Sequence, residues 1–93
     1  MNKSLDELLR LPDNDFRIIF ENETLGNVKS CINLIKSVMI ELNKAYKELP
    51  KSEINLLEDV EFLLLNLQDK LTILESIVKV KTEKRKLKFD LLS

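Results

Sequence analysis

The spacing of apolar residues predicts two long amphipathic helices. In the first, from about 28 to 49, apolar residues repeat every seven positions at two heptad positions. One heptad position is occupied by Val28, Ile35, Leu42 and Leu49, and the other by Cys31, Val38 and Ala45. In the second, from about 53 to 83, the main stripe consists of Leu57, Val60, Leu64, Leu67, Leu71, Leu74 and Val78. A short connection around Pro50 requires that the two helices run antiparallel.

Two shorter helices are predicted before this hairpin, over about 5–11 and 14–25. Ser4 and Glu7 have the spacing of a capping box, and Pro12 separates the two segments. The second segment could also be read as a strand, but a lone strand has no partner in this chain. Gly26 is interpreted as the stop of the second helix, with Asn27 as the cap of the third.

These elements predict an all-α fold: a small bundle built on a long antiparallel helical hairpin, within a single domain over residues 1–93. Both long helices have apolar stripes wider than a two-helix contact needs. We therefore expect a homodimer, with the main stripe from Leu57 to Val78 as its interface. Lys70 is expected to face outward beside this stripe and to tolerate replacement by Glu.

The apolar pattern changes phase after Val78, where a basic segment over residues 79–93 begins. Either the helix breaks near 79–83 or it continues and presents a different face to another partner. The segment is predicted to be the partner-binding element, through Lys79, Lys81, Lys84, Arg85, Lys86, Leu87, Lys88 and Phe89. It could instead serve the fold, since lysines suit a helix C-terminus and can pair with the acidic N-terminal helices.

Charge alternates in blocks along the chain, although the net charge is only −1. Residues 1–26 sum to −3, residues 27–51 to +3, residues 52–78 to −5 and residues 79–93 to +4. Alternating blocks suit segments that fold back on one another, because each segment then faces the opposite charge.

The composition argues against catalysis. There is no histidine and Cys31 is the single cysteine, so the commonest general base and the usual zinc ligand sets are missing. The acidic residues of the second long helix lack the Glu-x-x-His ligands of a di-iron site, and the Asp13–Asp15 stretch lacks the glycine of a calcium loop. We therefore predict no catalytic, cofactor-binding or metal site, and we expect a cytoplasmic protein that is not an enzyme.

The leading hypothesis is a helical protein–protein interaction module, a small regulator or inhibitor of a larger macromolecule. Short, Lys- and Asn-rich helical chains of this kind are typical of phage, plasmid or bacterial accessory proteins. The first alternative is a small nucleic-acid-binding protein that uses the basic segment. The second alternative is an immunity-type protein that acts at a membrane surface.

Overall fold

The computed structural model describes residues 4–92, with side chains described for residues 4–86. It contains four helices and no strand over this range: α1 (Leu5–Leu9), α2 (Asp13–Glu21), α3 (Leu25–Glu48) and α4 (Ile54–Leu92). The two long helices pack against each other, and α1 and α2 lie against α4. The predicted all-α hairpin bundle is thus confirmed.

Local chemistry explains where the helices begin. The Ser4 hydroxyl accepts a hydrogen bond from the Glu7 backbone N–H at 3.3 Å, as the capping box predicts. Thr24, which the sequence analysis overlooked, does the same for the Asn27 N–H at 3.2 Å and starts α3. The prediction that Gly26 ends α2 and Asn27 caps α3 was therefore wrong, because both residues lie in the first turn of α3.

The fourth helix is longer than predicted. It continues without interruption from Ile54 to Leu92, past the expected end at 83, so the phase change after Val78 is not a break in the backbone. At 39 residues, α4 is about 58 Å long and accounts for most of the molecule's 62 Å length. No helix of the described part is long and apolar enough to cross a membrane.

Among the residues whose side chains are described, the entire buried core lies at one end of the hairpin. It is formed by Leu8, Phe16, Phe20, Val28, Cys31, Ile32, Ile35, Leu67, Leu71, Ile73, Leu74 and Ile77. We call this part the closed end. Between residues 36 and 66 no side chain is buried, and this part, which we call the tip, consists of two helices alone.

Candidate functional site

Lys70 fastens the N-terminal helices to α4 at the closed end. Its side chain is only 2% exposed. Its ammonium group donates to the Leu11 carbonyl at 2.8 Å, pairs with the Asp13 carboxylate at 2.5 Å and lies 5.4 Å from the centre of the Phe16 ring. The prediction that Lys70 faces outward was wrong, since its side chain is buried and binds Leu11 and Asp13 at the α1–α2 connection.

Further polar contacts hold the N-terminal helices along α4. Asn66 donates to the Leu9 carbonyl at 3.1 Å, near the start of the covered region. Arg17 donates to the Ser76 hydroxyl at 3.4 Å and Lys81 to the Glu21 carbonyl at 2.9 Å, near its end. The two short helices therefore cover α4 only from about residue 66 to residue 81.

The face of α4 that these helices cover continues uncovered into the tip. Leu56 and Leu63 precede Lys70 and Ile77 at seven-residue spacing and lie on the same face. Lys70 is 2% and Ile77 5% exposed, whereas Leu63 is 42% and Leu56 48% exposed. The apolar character of this face is thus maintained where no helix covers it.

Apolar positions of α3 that are buried in the closed end are likewise exposed in the tip. Cys31 is buried, whereas Val38 and Ala45, at the same heptad position, are exposed. By their positions on the two helices, Val38 and Ala45 of α3 and Leu56 and Leu63 of α4 belong to the same face of the hairpin, and we call the surface between them the tip groove. Leu42 and Val60, next to these positions, are half-buried.

Acidic residues flank the tip groove. Glu41 and Glu48 lie on the α3 side and Asp59 on the α4 side, because each is three positions, close to one helical turn, after a lining residue of its own helix. All three are exposed, and Glu41 is paired with Lys44 at 3.6 Å. The groove therefore presents apolar residues between carboxylates.

A second surface of the tip lies on the opposite face of the hairpin, lined by Met39, Asn43, Glu61, Leu64, Leu65 and Gln68. Beside it, the Tyr46 hydroxyl donates to the Glu61 carboxylate at 2.5 Å. This hydrogen bond raises the pKa of Tyr46 and links the two helices in the tip.

The predicted dimer interface is divided between the two ends. Leu67, Leu71 and Leu74 are buried in the closed end, so the fold of a single chain already uses them. Leu57, Val60, Leu64 and Val78 are half-buried along the same stripe. The apolar side chains that remain exposed in the tip are others: Val38, Ile40, Ile54, Leu56, Phe62, Leu63 and Leu65.

The predicted partner-binding lysines are not equivalent in the structure. Lys79, Lys84, Arg85 and Lys86 are exposed, whereas Lys81 is half-buried and bonded to the Glu21 carbonyl. Leu87, Lys88 and Phe89 belong to α4, but their side chains lie outside the described residues. Lys81 and Lys84 also line a groove of about 240 Å³ between α2 and α4, together with Arg17, Glu21, Ser76, Ile77 and Val80.

The single thiol lies in the core. Cys31 is 4% exposed, and burial raises the pKa of its thiol from 9.0 to about 11. A thiol with so high a pKa carries little thiolate at neutral pH, which is the form that acts as a nucleophile. Over the residues whose side chains are described, no group of three or more acidic or thiol side chains is arranged to hold a metal ion.

Sequence reasoning overlooked the tip groove although its signal was present. Leu56 and Leu63 broaden the apolar stripe of the second long helix along its whole length. The two short helices contain 14 residues in total, so their combined length is about 21 Å, far less than the length of α4. Comparing these lengths would have shown that part of the stripe remains uncovered.

No family model, curated protein or solved structure gives a significant match to this chain.

Proposed function

We propose that this protein is a non-enzymatic protein–protein interaction module, a small cytoplasmic regulator or inhibitor of the phage or bacterial accessory type. In this proposal the closed end folds the chain and the tip groove binds a helix of a larger protein. The observation that carries it is the absence of any buried side chain between residues 36 and 66, in a segment that keeps its apolar stripes. Exposed apolar residues that are arranged in a groove mark interaction sites.

The chemistry of the groove supports one kind of partner. A groove between two helices accepts an amphipathic helix, whose residues at positions i, i+3, i+4 and i+7 pack into it. The flanking carboxylates of Glu41, Glu48 and Asp59 favour a helix with Lys or Arg beside its apolar stripe. The proposed partner element is therefore a basic amphipathic helix, which would extend the layer formed by α1 and α2.

A titration followed by NMR tests this function with a defined probe. The probe is a synthetic helical peptide with Leu at the four spaced positions and Lys on both flanks. We expect its addition to shift the signals of Val38, Ala45, Leu56 and Leu63. A peptide in which Glu replaces each Lys should bind about tenfold or more weakly, because it meets the carboxylates of the groove.

Two variants give the matched comparison. Leu63→Asp places a charge in the groove and should abolish peptide binding, since the charge would be desolvated without a partner. Ile18→Asp makes the same kind of change at an α2 residue that is 59% exposed and remote from the groove, and should leave binding unchanged. Equal affinity for the two peptides, or unchanged binding by Leu63→Asp, would contradict the proposal.

A second candidate function is nucleic-acid binding by the basic segment. Four exposed cations within one stretch of α4 support it: Lys79, Lys84, Arg85 and Lys86. Glu83 lies among them, and Glu21 and Glu23 are close by in α2 and after it, which weakens the field. Binding to duplex or single-stranded DNA that falls steeply with salt, and is lost on changing Lys84, Arg85 and Lys86 to Glu, would favour this alternative.

A further inference from the structure

One side of the hairpin is not covered by α1 or α2, and we call it the back face. The tip surface that Gln68 helps to line lies on this side. Lys70, which the N-terminal helices cover, comes two positions after Gln68 and therefore points about 200° away around α4. Thr72 and Glu75 continue the back face beside the closed end, and both are exposed.

The back face is partly apolar in the tip. The residues that line it there surround a hollow of about 460 Å³. One of them, Leu65, is 65% exposed, and Ile40, three positions before the lining residue Asn43, is 56% exposed. Ile54, seven positions before the lining residue Glu61, is 60% exposed. Exposed apolar residues around a hollow indicate a surface that another molecule covers.

Charge is divided between the two helices on this face. The α3 residues on the side of Asn43 form a basic row, and the α4 residues at the heptad position of Gln68 form an acidic row. The basic row consists of Lys29, Lys36 and Lys47, and the acidic row, which ends before Lys79, consists of Glu61 and Glu75. All five are exposed, and over the described side chains none of them is in an ion pair. The acidic residues Glu41 and Glu48 of α3 lie on the groove side instead.

We infer that two copies of this chain pack back face to back face, with a two-fold axis parallel to the helices. In this four-helix arrangement, α3 of each copy lies on α4 of the partner and runs antiparallel to it, as it does within the chain. The basic row of each copy then faces the acidic row of the other. A two-fold axis across the helices would place α3 on α3 and α4 on α4, which opposes like charges. The charge distribution therefore favours the first arrangement.

The contacts within one chain fix which residues meet in such a dimer. Because Tyr46 donates to Glu61, residues of α3 and α4 whose numbers add up to about 107 lie at the same level along the hairpin. Rotation about an axis parallel to the helices keeps every level, so the same rule applies between the two copies. Lys47 then faces the partner's Glu61, and Ile40 faces the partner's Leu65. Opposite charges thus meet beside an apolar contact, and the symmetry repeats both.

This dimer differs from the one predicted from the sequence, since Leu67, Leu71 and Leu74 remain inside each chain. It goes beyond the proposed function and does not depend on it, because the tip groove lies on the other side of the hairpin and stays free in both copies. Leu63→Asp, which tests the groove, should not change self-association.

Charge reversal in trans tests the dimer. Sedimentation velocity of the full chain, over about 1–500 µM, should show a shift toward twice the 10.9 kDa chain mass. Lys47→Glu and Glu61→Lys should each weaken self-association about tenfold or more, because each places like charges opposite each other twice. An equal mixture of the two variants should restore the dimer, since both contacts in the mixed pair join opposite charges. Mixing does not repair a change within one chain.

Two variants serve as controls. Tyr46→Phe removes the hydrogen bond that Glu61→Lys also removes, but leaves the charge unchanged. Lys84→Glu makes the same charge change as Lys47→Glu at an exposed residue on the α2 side of α4. Both should associate like the original chain, whereas Leu65→Ser should weaken the dimer without loss of helical content. A monomer at every concentration, or a mixture that associates no better than either charge variant alone, would overturn the inference.

Discussion

At the scale of the residue, the buried lysine shows how polar groups position the N-terminal helices. An ammonium group in an apolar core is tolerated only when its charge and its donors are satisfied. Lys70 meets this condition with a carbonyl, a carboxylate and an aromatic ring, all from the segment between Leu11 and Phe16. The heptad pattern contained a signal for this, because Lys70 occupies the same heptad position as Leu63 and Ile77, but its charge led the sequence analysis to assign it to solvent.

The effect of replacing Lys70 on stability should therefore depend on the charge of the new side chain. Lys70→Glu places a carboxylate beside Asp13 in a buried site and should lower the free energy of unfolding by about 3–5 kcal/mol. Lys70→Met retains the packing and should cost less than about 1.5 kcal/mol. Urea denaturation followed by circular dichroism measures both, with Lys36→Glu as an exposed control that should change stability by about 0.5 kcal/mol or less. Equal stability of Lys70→Glu and Lys36→Glu would contradict the stabilising role assigned to the buried contacts of Lys70.

At the scale of the element, the start of α3 shows where turn signals mislead. A lone glycine before a long amphipathic segment suggests the end of one helix, but here Thr24 supplies the cap and the glycine follows it. Gly26 does not have a positive φ angle, and a β-carbon added to it would meet no atom within 4 Å. The glycine is thus not required by its backbone conformation.

Gly26→Ala should stabilise the protein for this reason. Alanine fits the helical backbone at this position and reduces the conformational entropy of the unfolded chain, so we expect a gain of about 0.4–1 kcal/mol. Thermal unfolding of the variant beside the original chain measures the difference. Thr24→Ala, which removes the cap, should act in the opposite direction by about 1 kcal/mol. A loss of stability in Gly26→Ala would contradict the assigned helix start.

The length of α4 was beyond sequence reasoning for a different reason. A change in the phase of the apolar residues indicates that the segment meets a different neighbour. This pattern arises where a helix breaks, and it also arises where a continuous helix passes from one neighbour to another. The backbone of α4 continues as one helix through Val80 to Leu92. The pattern alone could not say which of the two causes applied, and the continuous backbone of α4 answers this question.

At the scale of the whole molecule, the repeats of both long helices were enough to predict the hairpin and the all-α class. They were not enough to predict where the core lies, because the stripes of α3 and α4 look equally apolar at both ends. The positions of α1 and α2 decide this, through contacts made by Lys70, Asn66 and Lys81 that carry no periodic signal. The tip groove is the consequence of their limited length.

One half of the hairpin contains the core, and the other half, which we propose binds a partner, contains no buried side chain. Amide hydrogen exchange, read by NMR on the full chain, tests this directly. Amides of residues 67–77 should exchange at least about 100-fold more slowly than amides of residues 40–62, because only the former open with loss of buried core. Equal protection along the whole of α3 and α4 would show that the tip is as firmly held as the closed end, and would contradict the account.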